Sequence, residues 1–422
     1  MLQPRARIAN APAAIVPEPN AAKQARLLEA AAQEFNARGI SGASIARIAR
    51  TLGLTRAAVY YYVKDRDDLA ARCYRQTCAA MAADLDAASA GRANGLDRIL
   101  AFLRRSLDPS RAPLAALSEL DYFGSRVRGE IAAAQARNVD GLRGMIRDGI
   151  ADGSIRACDD EIIAQTLIGT IAWIPLSVDW VEGTDATYRA RTAAALADMI
   201  VNGQAADPNF EFAPHVRIES FFPPAPQAFD RRGNADAKIE QVLMTASRLF
   251  NRRGIDGTSI DDVMAELGAT KGALYHYFEN KTDLVVRCHK RGFVLYERFA
   301  DAAEEFGRCG LERGLIGLYL NIQAQARELS PLIHMVGANA LPAPSRRDVT
   351  RRARALQKRF RAFGAQGVAD GSNRALDFDA VAQLGAGAFE WLPKWFRSDD
   401  PRSGAMLARE ITTLFIRGLR AR

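Results

Sequence analysis

Between Thr270 and Phe278 the chain reads Thr-Lys-Gly-Ala-Leu-Tyr-His-Tyr-Phe. Lys271, Tyr275 and His276 fall at a spacing that leaves an ammonium, a phenol and an imidazole on the outer side of one short helix. Such groups donate hydrogen bonds and carry positive charge, which is the chemistry of recognising an anionic surface. Bond-making chemistry would need other residues. The chain has no Gly-rich phosphate loop, no His-Glu-x-x-His, no Gly-x-Ser-x-Gly and no Cys/His pair at an informative spacing. Catalytic residues, a metal and a cofactor are therefore not expected.

The residues just upstream position that helix. Ser259 is an N-cap type, and Ile260, Val263, Met264 and Leu267 follow it as one apolar stripe at helical spacing. Gly268 suits the left-handed backbone just past a helix end, and Thr270 caps the next helix. Ala273, Leu274 and Tyr277 then pack back on the first helix. Two short helices joined by a tight turn make a helix-turn-helix, whose second member enters a DNA groove.

The pattern occurs twice. Adding 215 to each number lays Phe35-Asn36-Ala37-Arg38-Gly39-Ile40 on Phe250-Asn251-Arg252-Arg253-Gly254-Ile255. The alignment continues without a gap through Ser44/Ser259, Gly53/Gly268, Thr55/Thr270, Tyr60/Tyr275, Tyr62/Tyr277 and Leu69/Leu284, with 16 of 35 positions identical. With a shift of 218, Asp152-Gly153-Ser154 meets Asp370-Gly371-Ser372, Trp173 meets Trp391 and Pro175 meets Pro393. The duplicated unit therefore includes the distal regions as well as the head.

A chain of 422 residues allows two to four domains. Strand alternation is nearly absent, which points to an all-α fold. The net charge of +8 fits a polyanionic partner without demanding one. Cys73, Cys78, Cys158, Cys288 and Cys309 form no metal-ligand spacing and are read as reduced thiols. The most apolar stretch, Ile162 to Val178, contains Gln165, Thr166, Thr170 and Pro175 and is too short to span a bilayer. A soluble cytoplasmic protein with no membrane partner is expected.

In chain order, residues 1–20 read as a disordered tail, with Arg5 and Arg7 as a candidate minor-groove arm. A first head at 21–68 precedes a helical region at 69–204. A Pro- and Phe-rich linker at 205–235 leads to a second head at 236–283 and a second helical region at 284–422. Phe210, Phe212, Phe221, Phe222 and Phe229 would be costly to leave in water, so part of the linker is expected to lie in a groove on the bundles.

The repeated array, from Phe35 and Phe250 through Gly39/Gly254, Ser44/Ser259, Gly53/Gly268 and Tyr60/Tyr275 to Leu69/Leu284, resembles the TetR family of bacterial transcriptional regulators. The resemblance implies two tandem units, each a three-helix head on a helical-bundle ligand and dimerisation domain. It implies a ligand-responsive repressor that binds duplex operator DNA. It also makes Ser44 and Ser259 phosphate contacts at the start of the preceding helix, and Arg66 and Lys281 the basic residues after the recognition helix. A helical protein-binding adaptor on the same scaffold is the alternative.

The residues themselves point to the same surface. Arg56 and Lys271, just past Thr55 and Thr270, reach a base edge or phosphate; Arg56 suits guanine bidentately, whereas Lys271 is a point charge. Tyr60, Tyr61 and Tyr275 offer hydroxyls and His276 a ring N–H, while Ala57 and Gly272 let the helix approach closely. The heads differ in charge. Residues 21–75 hold ten Lys/Arg and five Asp/Glu, and residues 236–291 hold nine and eight, so the first should hold phosphate more strongly.

In the distal regions, Trp173-Ile174-Pro175 and Trp391-Leu392-Pro393 read either as pocket walls for a small apolar or amphipathic effector or as bundle core. The arginine run from Arg346 to Arg361 reads either as a solvated face or as an anion site. The linker could span about 100 Å extended, and a tether gives an effective concentration of order millimolar. The halves are therefore expected to pair within one chain as a pseudo-dimer, with a homodimer of whole chains as the competing arrangement. The recognition helices would then lie about 34 Å apart over an imperfect palindrome.

Overall fold

A computed structural model of the chain describes residues 19–91, 94–176, 186–224, 230–333, 337–338, 341–397 and 399–422. Arg5, Arg7 and Phe229 lie outside them. Helix α1 (Pro19–Gly42) breaks at Gly39, where φ is 71°, a conformation in which a side chain would be strained. Then come α2 (Ile45–Thr51) and α3 (Arg56–Tyr60). Their second copy is α9 (Arg231–Arg253), α10 (Ile260–Glu266) and α11 (Lys271–Tyr275). Helix α9 starts before the expected head boundary at 236 because Asp230 caps it, accepting from the Gly233 amide at 2.9 Å. Leu27, Phe35, Ile48, Val59 and Leu69 are buried in the first head, and Val242, Phe250, Val263, Leu274 and Leu284 in the second. Each contributes on the order of 1.5–3 kcal/mol by leaving water.

The first bundle comprises α4 (Arg66–Ser89), α5 (Gly95–Ser106), α6 (Ser125–Ala151), α7 (Asp160–Leu176) and α8 (Ala186–Asn202). The second comprises α12 (Lys281–Phe306), α13 (Gly310–Ala326), α14 (Ala343–Ala369), α15 (Phe378–Glu390), α16 (Leu392–Trp395) and α17 (Gly404–Arg417). The repeated Asp-Gly-Ser turn has a structural task in both. Asp152 accepts from the Gly95 amide (2.8 Å) and Ser154 from that of Leu96 (3.1 Å), so the turn after α6 caps α5. Asp370 and Ser372 cap α13 through Gly310 (2.8 Å) and Leu311 (3.1 Å). Linker residues Val216, Ile218 and Phe221 are buried in the second half's core, where Phe221 meets the Phe299 ring edge-on at 4.9 Å. No helix among the described residues is long and apolar enough to cross a membrane.

The halves meet along α7, α8, α15 and α17, and the contacts come in reciprocal pairs. The Arg156 amide donates to Leu419 O and the Arg374 amide to Gln204 O, both at 2.8 Å. The Arg156 guanidinium donates to Gly418 O (2.8 Å) and that of Arg374 to Gly203 O (3.0 Å). Gln204 N donates to Phe415 O and Leu419 N to Ile200 O, both at 2.7 Å. Every pair obeys the 215 or 218 offset. Gly203 and Gly418 both have φ of 69° and lie against the backbone at Ile416 and Val201 respectively. Between the helices, a Cβ on Gly169 would fall 2.5 Å from Cβ of Trp391, and one on Gly387 would fall 2.8 Å from Cβ of Trp173. The core therefore runs unbroken from one half into the other, joining Ile163 and Leu167 to Leu407, Ile411 and Phe415.

Replacing a helical glycine by alanine ordinarily stabilises a protein by about 0.5–1 kcal/mol. Gly144→Ala in α6 should do so, because its Cβ would meet nothing within 4 Å. Gly169→Ala should instead destabilise by about 1–3 kcal/mol, the range for overpacking a tight core. Urea midpoints of the two variants are the measurement; an equal gain in both would contradict the close seam.

Candidate nucleic-acid interface

Thr55 accepts from the Ala58 amide at 3.2 Å, which fixes where α3 begins and makes Arg56 its first residue. The Arg56 guanidinium donates to the Tyr60 hydroxyl at 3.1 Å and lies 5.6 Å from the centre of its ring. Tyr60 is 40% exposed and Tyr61 79%, with Ala57 open beside them. Two large aromatics left in water at the end of a five-residue helix are unusual for a head with a well-filled core. Arg56, Ala57, Tyr60 and Tyr61 thus form one exposed surface bearing a cation and two phenols.

The second head presents the same backbone with different electrostatics. Thr270 precedes α11 without a side-chain capping bond, Gly272 is open, Tyr275 is 48% exposed and His276 stacks edge-on against Tyr277 at 4.9 Å. Lys271 pairs with Asp261 at 3.2 Å. Asp261 and Asp262 stand where the first head has Ala46 and Arg47. Ser259 donates its hydroxyl to Asp262 (2.6 Å), and the Asp262 amide donates back to it (3.0 Å). The bonds from Ser259 hold the Asp262 carboxyl below the usual range, so this helix start carries two carboxylates. Ser44 instead accepts from the Arg47 amide at 3.4 Å, and Arg47 pairs with Glu34 at 2.7 Å.

Arg66 and Lys281 begin α4 and α12. Arg66 donates to Ser41 O (2.6 Å) and to the Tyr122 hydroxyl (3.1 Å), so it braces the head against the bundle. Lys281 is partly buried, and that burial lowers its ammonium below the usual range.

Two links from heads to bundles escaped the sequence reading. Asn36 donates to Leu114 O and accepts from the Ala116 amide, each at 2.9 Å, tying α1 to the loop over the first bundle. Asn251 does the same to Pro331 O and the Ile333 amide, again at 2.9 Å. The available signal was an identical polar pair inside an apolar helix face. The second link is Glu119, which accepts from the Ile40 amide at 2.5 Å and lies beside both Gly39 and Gly254. Burial raises its carboxyl, while the Ile40 amide and nearby Lys394 counter the shift. Lys394 donates to Ser118 O and to Arg252 O (3.4 Å), and burial lowers its ammonium to about 8. Leu176 stands at its repeat position, so repetition gave no hint of it.

Trp173 and Trp391 each face the opposite half. Trp391 lines a cavity of about 460 Å³ in the first bundle, and Trp173 lines one of about 150 Å³ in the second. Arg352 and Arg359 of the arginine run pair with Glu297 (3.1 Å), Asp301 (2.8 Å) and Glu304 (3.0 Å), clamping α14 to α12. Burial raises the thiols of Cys73 and Cys288 to about 12, outside the reactive range.

This is the geometry of a tandem helix-turn-helix protein. The model of the bacterial regulatory proteins of the tetR family matches residues 27–73 and again 242–288, and that of the tetracyclin repressor-like C-terminal domain matches 313–419. The chain belongs to the tetR family, with the unit present twice. The Transposon Tn10 TetC protein of Escherichia coli is 30% identical over 66 residues, 16% of this chain and 34% of its own length. The chain thus spans about a third of that relative. The transcriptional repressor KstR2 of Mycolicibacterium smegmatis is 26% identical over 191 residues, 43% of this chain and 91% of its own length. The structure of the ketosteroid transcriptional regulator KstR2 of Mycobacterium tuberculosis superposes with a TM-score of 0.39 at 21% identity, covering 47% of this chain and 99% of its own.

Lys394 titrates near 8 when folded and near 10.5 when unfolded. Between those values the unfolded chain holds the extra proton, so its contribution makes stability rise with pH across that window. Lys394→Met should flatten the rise. Urea midpoints at pH 7.5 to 10.5 for both proteins measure it; parallel profiles would refute the assignment.

Proposed function

We propose that the chain is an effector-responsive transcriptional regulator whose two heads grip one duplex operator. The observation that carries this reading is the set of reciprocal contacts between the halves, from Arg156 with Gly418 O and Arg374 with Gly203 O to the facing Gly169 and Gly387. In the family, paired heads come from two copies. Here each half covers on the other the surface a second chain would use, which supports a single-chain pseudo-dimer. Ser44, Thr55, Arg56, Tyr60 and Tyr61 would grip one half-site, and Ser259, Lys271, Tyr275 and His276 the other. Because the acidic pair Asp261 and Asp262 replaces Ala46 and Arg47, the second head holds phosphate more weakly, and the operator is an imperfect palindrome. An apolar or amphipathic effector in the bundle would act on the first head through the loop that Asn36 holds. The protein-binding adaptor is not favoured, because the matched domains and curated relatives are those of transcriptional regulators.

Site selection from random duplex DNA, with light scattering on the free chain and its complex, tests the reading. The expected result is one 46.0 kDa chain per asymmetric site. A mass of twice 46.0 kDa with a perfectly symmetric site would overturn the pseudo-dimer. Arg56→Ala should lose about 1–3 kcal/mol of operator binding and relax preference in one half-site only. Asp261→Asn, which frees Lys271, should tighten binding and steepen its salt dependence by about one phosphate. Fluorescence anisotropy over a salt series reads both, and a weaker or unchanged Asp261→Asn complex would argue against the second head's contact.

A further inference from the structure

The bundles are copies by sequence, yet their interiors are filled differently. Beneath the loop at 108–117 the first bundle encloses about 460 Å³, within the range of drug-sized ligand sites (about 300–1,000 Å³). The cavity in the second bundle is about 150 Å³ and shares with the repeat of the first only part of its wall, including Trp173, Tyr296 and Phe389. The offsets show what fills it. Met81 corresponds to Tyr296 and Ile171 to Phe389, and all four line their respective cavities. Phe293, another wall of the second cavity, stands where the first half has Cys78. The Tyr296 hydroxyl also donates to Leu332 O at 3.3 Å, pinning from below the loop that Asn251 holds from above. On the same half, the linker adds Val216, Ile218 and Phe221 to the core.

The first cavity keeps a polar end. Asp84 is buried there and accepts from Arg111 (2.8 Å), Arg105 (3.3 Å) and Ser106 (3.2 Å). Gln135 Oε1, on the same wall, is buried and takes no hydrogen bond from the described residues. Most of the remaining wall is apolar, including Met81, Ile168, Ile171 and Trp391, with Gln33, Asn36, Thr77 and Asp108 as further polar members. Such a lining fits a largely apolar molecule with one hydrogen-bond donor for the Gln135 carbonyl.

We propose that the chain takes one effector, in the first bundle only, because the side chains of the second bundle leave too little room for another. This rests on the reading that the bundle holds an apolar effector. The regulatory signal then enters through the loop at 108–117 and Asn36 to the first head, while the second bundle is a fixed counterpart against which the first moves.

The test is a fluorescence titration of the full chain with N-phenyl-1-naphthylamine, a neutral apolar probe with one N–H donor, at chain concentrations high enough to read stoichiometry. One probe per chain is expected. Met81→Tyr with Ile171→Phe, which gives the first cavity the second's residues, should weaken binding at least tenfold. Tyr296→Met with Phe389→Ile should raise the count to two. Thermal melts establish that each variant folds; should the filled variant fail to, wild-type stoichiometry and the opened variant decide. Two probes per wild-type chain, or one that survives filling of the first cavity in a folded variant, would overturn the single-site proposal and leave the effector reading standing. No probe bound to any variant would overturn both.

Discussion

The structure depends on one close approach, the contact of α7 with α15 across Gly169 and Gly387. With no side chain on either glycine, Trp391 lies against the backbone of α7 and Trp173 against that of α15. Two large indoles are thus buried on the opposite half, at 9% and 4% exposure. Aromatic anchors packed on small residues concentrate energy at the centre of an interface. The reciprocal bonds of Arg156 and Arg374 then fix the ends, where Gly203 and Gly418 let the two chain segments touch backbone to backbone. Every other relation in the molecule follows from this seam, including how the heads are carried and which wall of each cavity belongs to which half.

Much of this was legible in the sequence, because local rules and duplication agreed. Ser44, Thr55 and Ser259 cap as their types suggest, since an N-cap oxygen answers to the first turn alone. The Asp-Gly-Ser turns were visible as a repeat, but their task was not. They cap α5 and α13 from 57 and 60 residues away, and no local rule reaches so far. In the sequence the two tryptophans fit bundle core and pocket wall alike. They serve both purposes, because a residue on a shared seam is core to one half and wall to the other. The resemblance makes Arg66 the basic residue after the recognition helix; its bonds to Ser41 O and Tyr122 depend on where a distant loop lies.

Duplication also explains how the halves came to differ. When two identical chains assemble, any change appears on both sides of the seam at once, so an aromatic that fills one cavity fills the other. Fusing the copies removes that constraint. Tyr296 and Phe389 occupy space in the second bundle while Met81 and Ile171 leave it free in the first. The heads diverge in the same direction. Arg47 faces Glu34 in the first, whereas its counterpart Asp262 bonds Ser259 and adds negative charge where phosphate would approach.

The Glu119–Lys394 junction carries that logic furthest. Glu119 lies beside Gly39 and Gly254, the same glycine in the two heads, so it sits where the halves converge. At a true two-fold axis each carboxylate would meet its own copy, and two buried like charges in that space would not both ionise. A single acid facing a single base is possible because the repeat position of Lys394 holds Leu176. The lysine spans three parts of the chain, bonding Ser118 O in the first half's loop and Arg252 O in the second head from its place on α16. A buried charge with such partners is costly to dislodge, since moving any one of them strips hydrogen bonds from a group already removed from water. The junction therefore ties the loop at 108–119 to both heads, through Asn36 and Glu119 on the first and through Lys394 on the second.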